Sequence, residues 1–321
     1  MWELELMEAA QRIVREVVAL QPEDKVLVVS DAARLNIGKA LASASRLLGT
    51  ETVLALMPMT GEHGHEPPAT IAAAMAAADV VFAPTTHAIT HTRARIQAHA
   101  AGARVVILRG VDEDMMINGA MAVDFQKVRQ ITAKVAAAFN RADHVRVTSV
   151  AGTDVTLSTA GRRFFRLDGF FQEEMGFAAL PGGECPTAPI EGTTQGRIVI
   201  DYSMDSIGRL RQPLVLEVEK GRVISVAGST QETEALERFF EGDENARNIA
   251  EFAIGTNPAA RLSGNLAEDK KLLGSVHFAI GDNRSLGGSV ESTIHLDGLM
   301  LEPTITVNKG QLLIQKGKLM F

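Results

Sequence analysis

The sequence predicts an α/β N-terminal domain built on a mainly parallel sheet, followed by a mainly β (α+β) C-terminal domain that carries a metal site. Three observations lead there. Continuous apolar runs of strand length alternate with helical segments up to Ala142, short stretches of alternating polarity bounded by glycines follow, and imidazoles and carboxylates recur inside apolar frames of that second part. The expected division is therefore 1–142, a scaffold or substrate-gating domain, and 143–321, the metal-binding domain.

The first part opens with Leu6, Ala10, Ile13, Val14 and Val17 at helical spacing over 3–20. The run 25–30 reads as a buried strand and 36–48 as a helix. Strands at 52–56 and 80–83 flank an alanine-rich helix over 68–78, and a helix near 92–101 leads through Gly102 into a strand at 104–108. A helix over 123–140 closes this part, with Phe125, Val128, Ile131, Val135 and Phe139 on one side. Strands of the second part are expected at 145–148, 154–158, 197–200, 214–218 and 222–226, the last two joined by a hairpin at Glu219-Lys220-Gly221-Arg222. A helix is expected over 232–240, a further one is suggested from Asn245 to Ala250, and 310–317 reads as a closing strand and turn.

Composition removes several functions. The chain has 321 residues, a formal charge of −7 and no Lys/Arg cluster, which argues against nucleic acid as a partner. No apolar run reaches the ~18 residues that a membrane span needs, and no charged-then-apolar leader opens the chain, so a cytoplasmic protein without membrane contact is expected. Cys185 is the single cysteine, leaving oxygen and nitrogen as the available metal donors. The segment after Val29 has neither the glycine triplet of a dinucleotide site nor a phosphate loop.

The candidate site residues lie in the second part. On a strand, His295 and Asp297 are two apart and share one face, a pair of ligands for a divalent cation. Glu184 follows Gly182-Gly183 and precedes Pro186 and Pro189, so its backbone is neither helical nor that of a central strand. Glu251 and His277 sit in the apolar runs 249–255 and 276–280, where a polar side chain needs a partner or a metal. In the first part, His87 and His91 follow a buried strand at the sheet's carboxyl edge and are four apart, suiting one helical turn. They are candidates for substrate contact. The loop around His63 and His65 reads as a polar segment that could act as a lid.

These motifs resemble the metallo-aminopeptidase family of aminopeptidase T and aminopeptidase S. The resemblance runs through Gly183-Glu184-Cys185-Pro186-Thr187-Ala188-Pro189, Glu251-Phe252-Ala253-Ile254-Gly255, His277-Phe278-Ala279-Ile280-Gly281 and His295-Leu296-Asp297. It implies that Glu184, Glu251, His277, His295 and Asp297 hold one or two divalent ions (zinc, cobalt or manganese), with Glu184 as a possible general base. It further implies a homodimer that removes N-terminal residues from small peptides or amides. One position departs: the family's tyrosine seven residues after the histidine is Arg284 here, a side chain suited to an anionic substrate group.

A second branch of similar fold is 2,5-dihydroxypyridine 5,6-dioxygenase, which Thr90-His91-Thr92-Arg93 and His295-Leu296-Asp297 resemble. That branch implies iron held by two histidines and one carboxylate. His295 and Asp297 supply two of these, and the alignment asks for histidine where this chain has Glu251. The sequence reading therefore favours the hydrolase, with the dioxygenase or a non-catalytic binding protein of the same fold as alternatives.

Overall fold

The computed structural model describes residues 2–61, 63–173 and 175–321; Glu62, in the lid-like loop, lies outside them. The chain packs as two compact units, Met1–Arg129 with Leu167–Gly182 and Gln130–Arg166 with Gly183–Phe321. The change of period after Ala142 marks where alternating strands begin. The division between units falls earlier, inside the helix Phe125–Phe139, and the segment 167–182 returns to the first unit.

The first unit is an α/β layer. Its five strands run in the order Glu51–Leu56, Lys25–Ser30, Val80–Ala83, Arg104–Ile107, Ala178–Ala179, and every neighbouring pair is parallel. The helices Trp2–Arg12, Leu35–Leu47, Ala69–Ala76 and Arg93–Ala100 belong to the same unit. The three inner strands are buried almost throughout, as continuous apolar runs require, and Leu27, Val29, Val81, Val105 and Ile107 share one core with Ile71, Met75 and Ile89. Glu51–Leu56 is an edge strand, which explains why Val53 and Leu56 are exposed despite an apolar sequence. The two-residue strand Ala178–Ala179 has no sequence signal, since two alanines carry no readable period.

The second unit contains two antiparallel sheets. The eight-stranded sheet includes His144–Thr148, Asp154–Ser158, Gln195–Ile200, Leu214–Glu219 and Arg222–Ala227. The hairpin at Lys220-Gly221 forms as expected, both residues having positive φ (49° and 74°), the twist that a two-residue turn between right-twisted strands demands. The six-stranded sheet has the order Gly208–Arg209, Ser203–Met204, His295–Met300, Val276–Gly281, Ile249–Gly255, Glu184–Thr187. Helix does not start over 245–250: a 3-10 turn, Glu244–Arg247, leads into the strand Ile249–Gly255, where seven buried residues match a central strand better than an amphipathic helix.

One face of the six-stranded sheet is apolar. Cys185, Phe252, Ile254, Val276, Phe278, Ile280, Leu296 and Met300 join a single core with Ile198, Ile200 and Leu216 of the eight-stranded sheet. Phe252 is its hub, with ring centroids 5.5 Å from Phe278, 6.1 Å from Phe164 and 6.3 Å from Phe139. Gly298, on this face, leaves room for Ile200: a Cβ there would lie 2.8 Å from the Ile200 side chain.

Candidate metal centre

The other face of the same sheet carries the chemistry, and the register shows why. Across three strands, Glu251 pairs with Ala279 and Ala279 with Asp297; Ala253 pairs with His277; Gly281 pairs with His295; and Gly255 pairs with Glu184. Directly paired residues share a face and alternate residues return to it, so Glu184, Glu251, His277, His295 and Asp297 all project from one side. Between them on that side stand Ala253, Gly255, Ala279 and Gly281, whose small or absent side chains leave the space that five polar groups fill. Glu184 reaches this row on an edge strand, the place where Pro186 is tolerated. Gly183, with φ 118°, lies against Asn257, where a Cβ would meet the Asn257 Cβ at 2.5 Å.

The five side chains converge. Glu251 is the centre: its Oε1 lies 3.0 Å from His277 Nε2 and its Oε2 lies 2.9 Å from His295 Nε2. His277 Nε2 is also 3.5 Å from Glu184 Oε2, and His295 Nε2 is 3.5 Å from Asp297 Oδ1. Two overlapping donor groups result, Glu184–Glu251–His277 and Glu251–His295–Asp297, each with its donor atoms within 4.8 Å of one another. The first is buried throughout, whereas His295 keeps 34% of its side chain exposed and gives the second an open side. His295 Nδ1 lies 2.7 Å from the Asp282 carbonyl, which accepts its proton and aims Nε2 at the carboxylates.

The electrostatics follow from burying three carboxylates together. Burial and the Asp297 charge push Glu251 up, but hydrogen bonds from His277 and His295 pull it down to about 2. Burial likewise opposes ionisation of Asp297 and Glu184, yet both are held below the usual carboxylate range, Asp297 by Lys270 and His295 and Glu184 by Lys270 and Lys271. Burial lowers His295, and its bonds to Asp297 and Glu251 more than reverse that, raising it well above the ordinary imidazole range. All three carboxylates are therefore available as anions. Glu184 Oε2 and Asp297 Oδ1 are buried without a hydrogen-bond partner among the described residues, the state expected of oxygens shaped for a cation. Oxygen and imidazole donors of this kind fit a divalent ion.

Two participants carry no sequence signal. Lys270 Nζ lies 2.7 Å from Asp297 Oδ2 and 3.6 Å from Glu184 Oε2, and Lys271 Nζ lies 2.5 Å from Glu184 Oε1. Glu268-Asp269-Lys270-Lys271 looks like an ordinary solvated charge run; in the structure Glu268, Asp269 and Lys271 are buried. Only the placement of a short helix against the site sheet reveals them.

The remaining candidates lie elsewhere. Arg284 sits on a half-exposed turn, its Nε 2.8 Å from Asp282 Oδ2 and its Nη1 2.9 Å from Glu291 Oε1. It thus meets local carboxylates and not the five-residue cluster. His87 and His91 belong to the first unit and do not share a helical turn, because the helix starts only at Arg93, capped by Thr92. His87 instead closes a loop: its Nδ1 is 2.7 Å from the Thr60 carbonyl, and its ring meets His63 edge-on at 5.1 Å. Ala88 N donates to His63 Nδ1, so the lid-like loop is tied down here. Among the described residues no helix is long and apolar enough to cross a membrane.

No curated protein sequence matches the chain. Among solved structures, the 2,5-dihydroxypyridine dioxygenase of Pseudomonas putida KT2440 superposes with a TM-score of 0.83 at 17% identity, covering 99% of this chain and 97% of that one. Wild-type AmpT from Thermus thermophilus superposes with a TM-score of 0.74 at 16% identity, covering 100% of both chains. At such identities these likenesses establish the shared fold. The profile that matches, over residues 6–321, is that described as NicX, 2,5-dihydroxypyridine 5,6-dioxygenase. With nearly its whole length covered, this chain belongs to the 2,5-dihydroxypyridine 5,6-dioxygenase family.

Proposed function

We propose that the protein is a metal-dependent ring-cleaving dioxygenase that uses ferrous iron on a hydroxylated pyridine or a closely related nitrogen heterocycle. The observation that carries this reading is the match of the dioxygenase profile over residues 6–321 together with the donor group Glu251–His295–Asp297, whose oxygen and imidazole atoms lie within 4.8 Å of one another. Oxygen and imidazole donors suit ferrous iron. Where the alignment asks for a second histidine this chain has Glu251, so the group offers one imidazole and two carboxylates, with His277 bonded to Glu251 from its other oxygen. Membership of the dioxygenase family supports the same choice over the hydrolase.

Glu251, His295 and Asp297 would hold the ion, with His277 steadying Glu251 from its other oxygen. Bound ferrous iron supplies the redox centre at which dioxygen and an electron-rich ring react. The protein's own part is positional. The Asp282 carbonyl fixes the His295 ring, the buried carboxylates balance the cation's charge, and the exposed side of His295 leaves a direction from which a planar substrate approaches.

The test is oxygen consumption by protein loaded anaerobically with ferrous iron and then given 2,5-dihydroxypyridine. Oxygen uptake matched by loss of the ring's near-ultraviolet absorbance is expected. Absence of uptake across a set of hydroxypyridines, together with release of amino acids from aminoacyl substrates by the zinc or cobalt form, would return the protein to the hydrolases.

A further inference from the structure

A groove beside the first helix carries charges that nothing in its own unit matches. It lies in the first unit, between Trp2–Arg12 with its continuing π turn Ile13–Val17 and the short helix Glu113–Asn118, and has a volume of about 660 Å³. Glu5, Glu8, Gln11, Arg12 and Arg15 line one wall, and Ile117 stands on the other. Steps of three and four residues return to one face of a helix, while the opposite face, with Leu6, Ala9, Ala10, Ile13 and Val14, is buried. Leu4 shares the outward face, and 70% of it is exposed. Glu8 and Arg12 are four apart, in the order that favours a pair within the helix. Yet Glu5, Glu8, Arg12 and Arg15 have no side-chain partner among the described residues.

The order of these charges decides what fits the face. Glu5 and Glu8 come first, Arg12 and Arg15 follow, and positions 5 and 15, like 8 and 12, are equally far from residue 10. A second copy of the helix, packed antiparallel across a two-fold axis at that level, brings Glu5 against Arg15 of the second copy and Glu8 against Arg12. The symmetry makes each contact twice. Gln11 falls beside the axis, where an amide meets its own copy as donor and acceptor. Glu16, at the groove's end, then stands level with Leu4 and not with a carboxylate. From Glu5 to Arg15 the helix rises about 15 Å, and packed helices lie about 8–10 Å apart, so every one of these pairs is within reach. A parallel arrangement in register sets like charges opposite at all four positions.

We propose that the outward face of residues 2–17 is a self-association surface, on which a second copy of this chain docks antiparallel in the register Glu5 to Arg15 and Glu8 to Arg12. Exposed charge pairs fix orientation more than they add affinity, so Leu4 and Ile117 supply the apolar contact and the dimer is reversible, with a roughly micromolar Kd. The surface belongs wholly to the first unit, and its occupancy is independent of the metal and of the reaction proposed above.

The test is the mass of the full chain in sedimentation equilibrium at about 100 μM and low salt, where surface charges are least screened. Wild type is expected to dimerise. Arg12→Glu with Arg15→Glu, and separately Glu5→Arg with Glu8→Arg, should each give a monomer, with self-association weakened at least about a hundredfold, because like charges then meet at all four positions. An equimolar mixture of the two double variants should recover a dimer, seen as a heterodimer by native mass spectrometry, since one copy then presents four carboxylates and the other four guanidiniums. The mixture also separates lost pairing from a frayed helix, which no partner would restore. A wild type that stays monomeric, a dimer retained by either variant alone, or two monomeric variants that do not associate when mixed overturns the proposal.

Discussion

Ala279 stands directly opposite Glu251 in the antiparallel register, and on its other side it stands opposite Asp297. A methyl group at this point is what allows two carboxylates from flanking strands to approach one another. Ala279→Leu places three further carbon atoms in that gap while leaving the apolar face of the sheet unchanged. The expected result is a protein that still folds, destabilised by about 1–3 kcal/mol, with metal affinity reduced at least tenfold. Thermal unfolding together with zinc titration measures both. Unchanged affinity would mean that the row is not the ion's site.

Glu251→Gln removes the charge that both imidazoles share while keeping the side chain's shape. A neutral amide offers one oxygen where the carboxylate offers two, so either His277 or His295 loses its partner. Metal content is expected to fall to a tenth of wild type or less, because the one residue common to both donor groups is altered. His277→Gln is expected to cost less, since His277 touches the ion's site through Glu251 alone. Equal losses in the two variants would place His277 directly on the metal.

The contrast between what the sequence revealed and what it concealed has a physical basis at these residues. The parallel strands of the first unit were legible because burial on both faces leaves an unbroken apolar run, as in Val26-Leu27-Val28-Val29. The ligand candidates were legible because a histidine or glutamate inside such a run, as in Val276-His277-Phe278, has to be satisfied, and the period-two rule already put His295 and Asp297 on one face. Glu251 as a bridge was not legible, because register between strands decides it. Lys270 and Lys271 were hidden for a different reason: their local sequence is that of an exposed turn, and only the tertiary fold, which buries Lys271 and brings both ammonium groups to the carboxylates, makes them part of the site. The return of 167–182 to the first unit was hidden too, since Ala178–Ala179 contributes a strand too short to show a period.

Glu191 gives the fold an acid-sensitive clasp. Its carboxylate accepts from Ser289 N at 2.8 Å and from Asn283 Nδ2 at 3.0 Å, and it pairs with Arg162. Burial pushes it up, but the bond from Ser289, the bond from Asn283 and the Arg162 charge together bring it down to about 2. A carboxyl lowered on folding stabilises the protein above its unfolded value, about 4.3, and that contribution fades as pH falls toward 2. Discounted for the exposed part of the side chain, the contribution at pH 7 is about 1–2 kcal/mol. Glu191→Gln should therefore lower the urea midpoint at pH 7 and converge with wild type near pH 2.5. A difference that stays constant across this range would assign the effect to packing and not to charge.

Gly298 couples the site strand to the core behind it. It lies between Asp297, on the polar face, and Leu299, and its own apolar-face position is filled by the Ile200 side chain. An added Cβ would sit 2.8 Å from both Ile200 Cδ1 and Cγ1, closer than side chains tolerate, and Ile200 is itself buried in the core. Gly298→Ala is expected to cost about 1–3 kcal/mol and to displace Asp297 enough to weaken metal binding severalfold. Ile200→Val alone should cost about 0.5–1.5 kcal/mol, yet in the double variant it removes Cδ1, one of the two atoms that clash. The two substitutions should therefore be less harmful together than their sum, with a favourable coupling of about 1 kcal/mol in a double-mutant cycle. Strict additivity would show that the strand accommodates the methyl by moving as a whole, in which case metal affinity should fall further in the double variant instead of recovering.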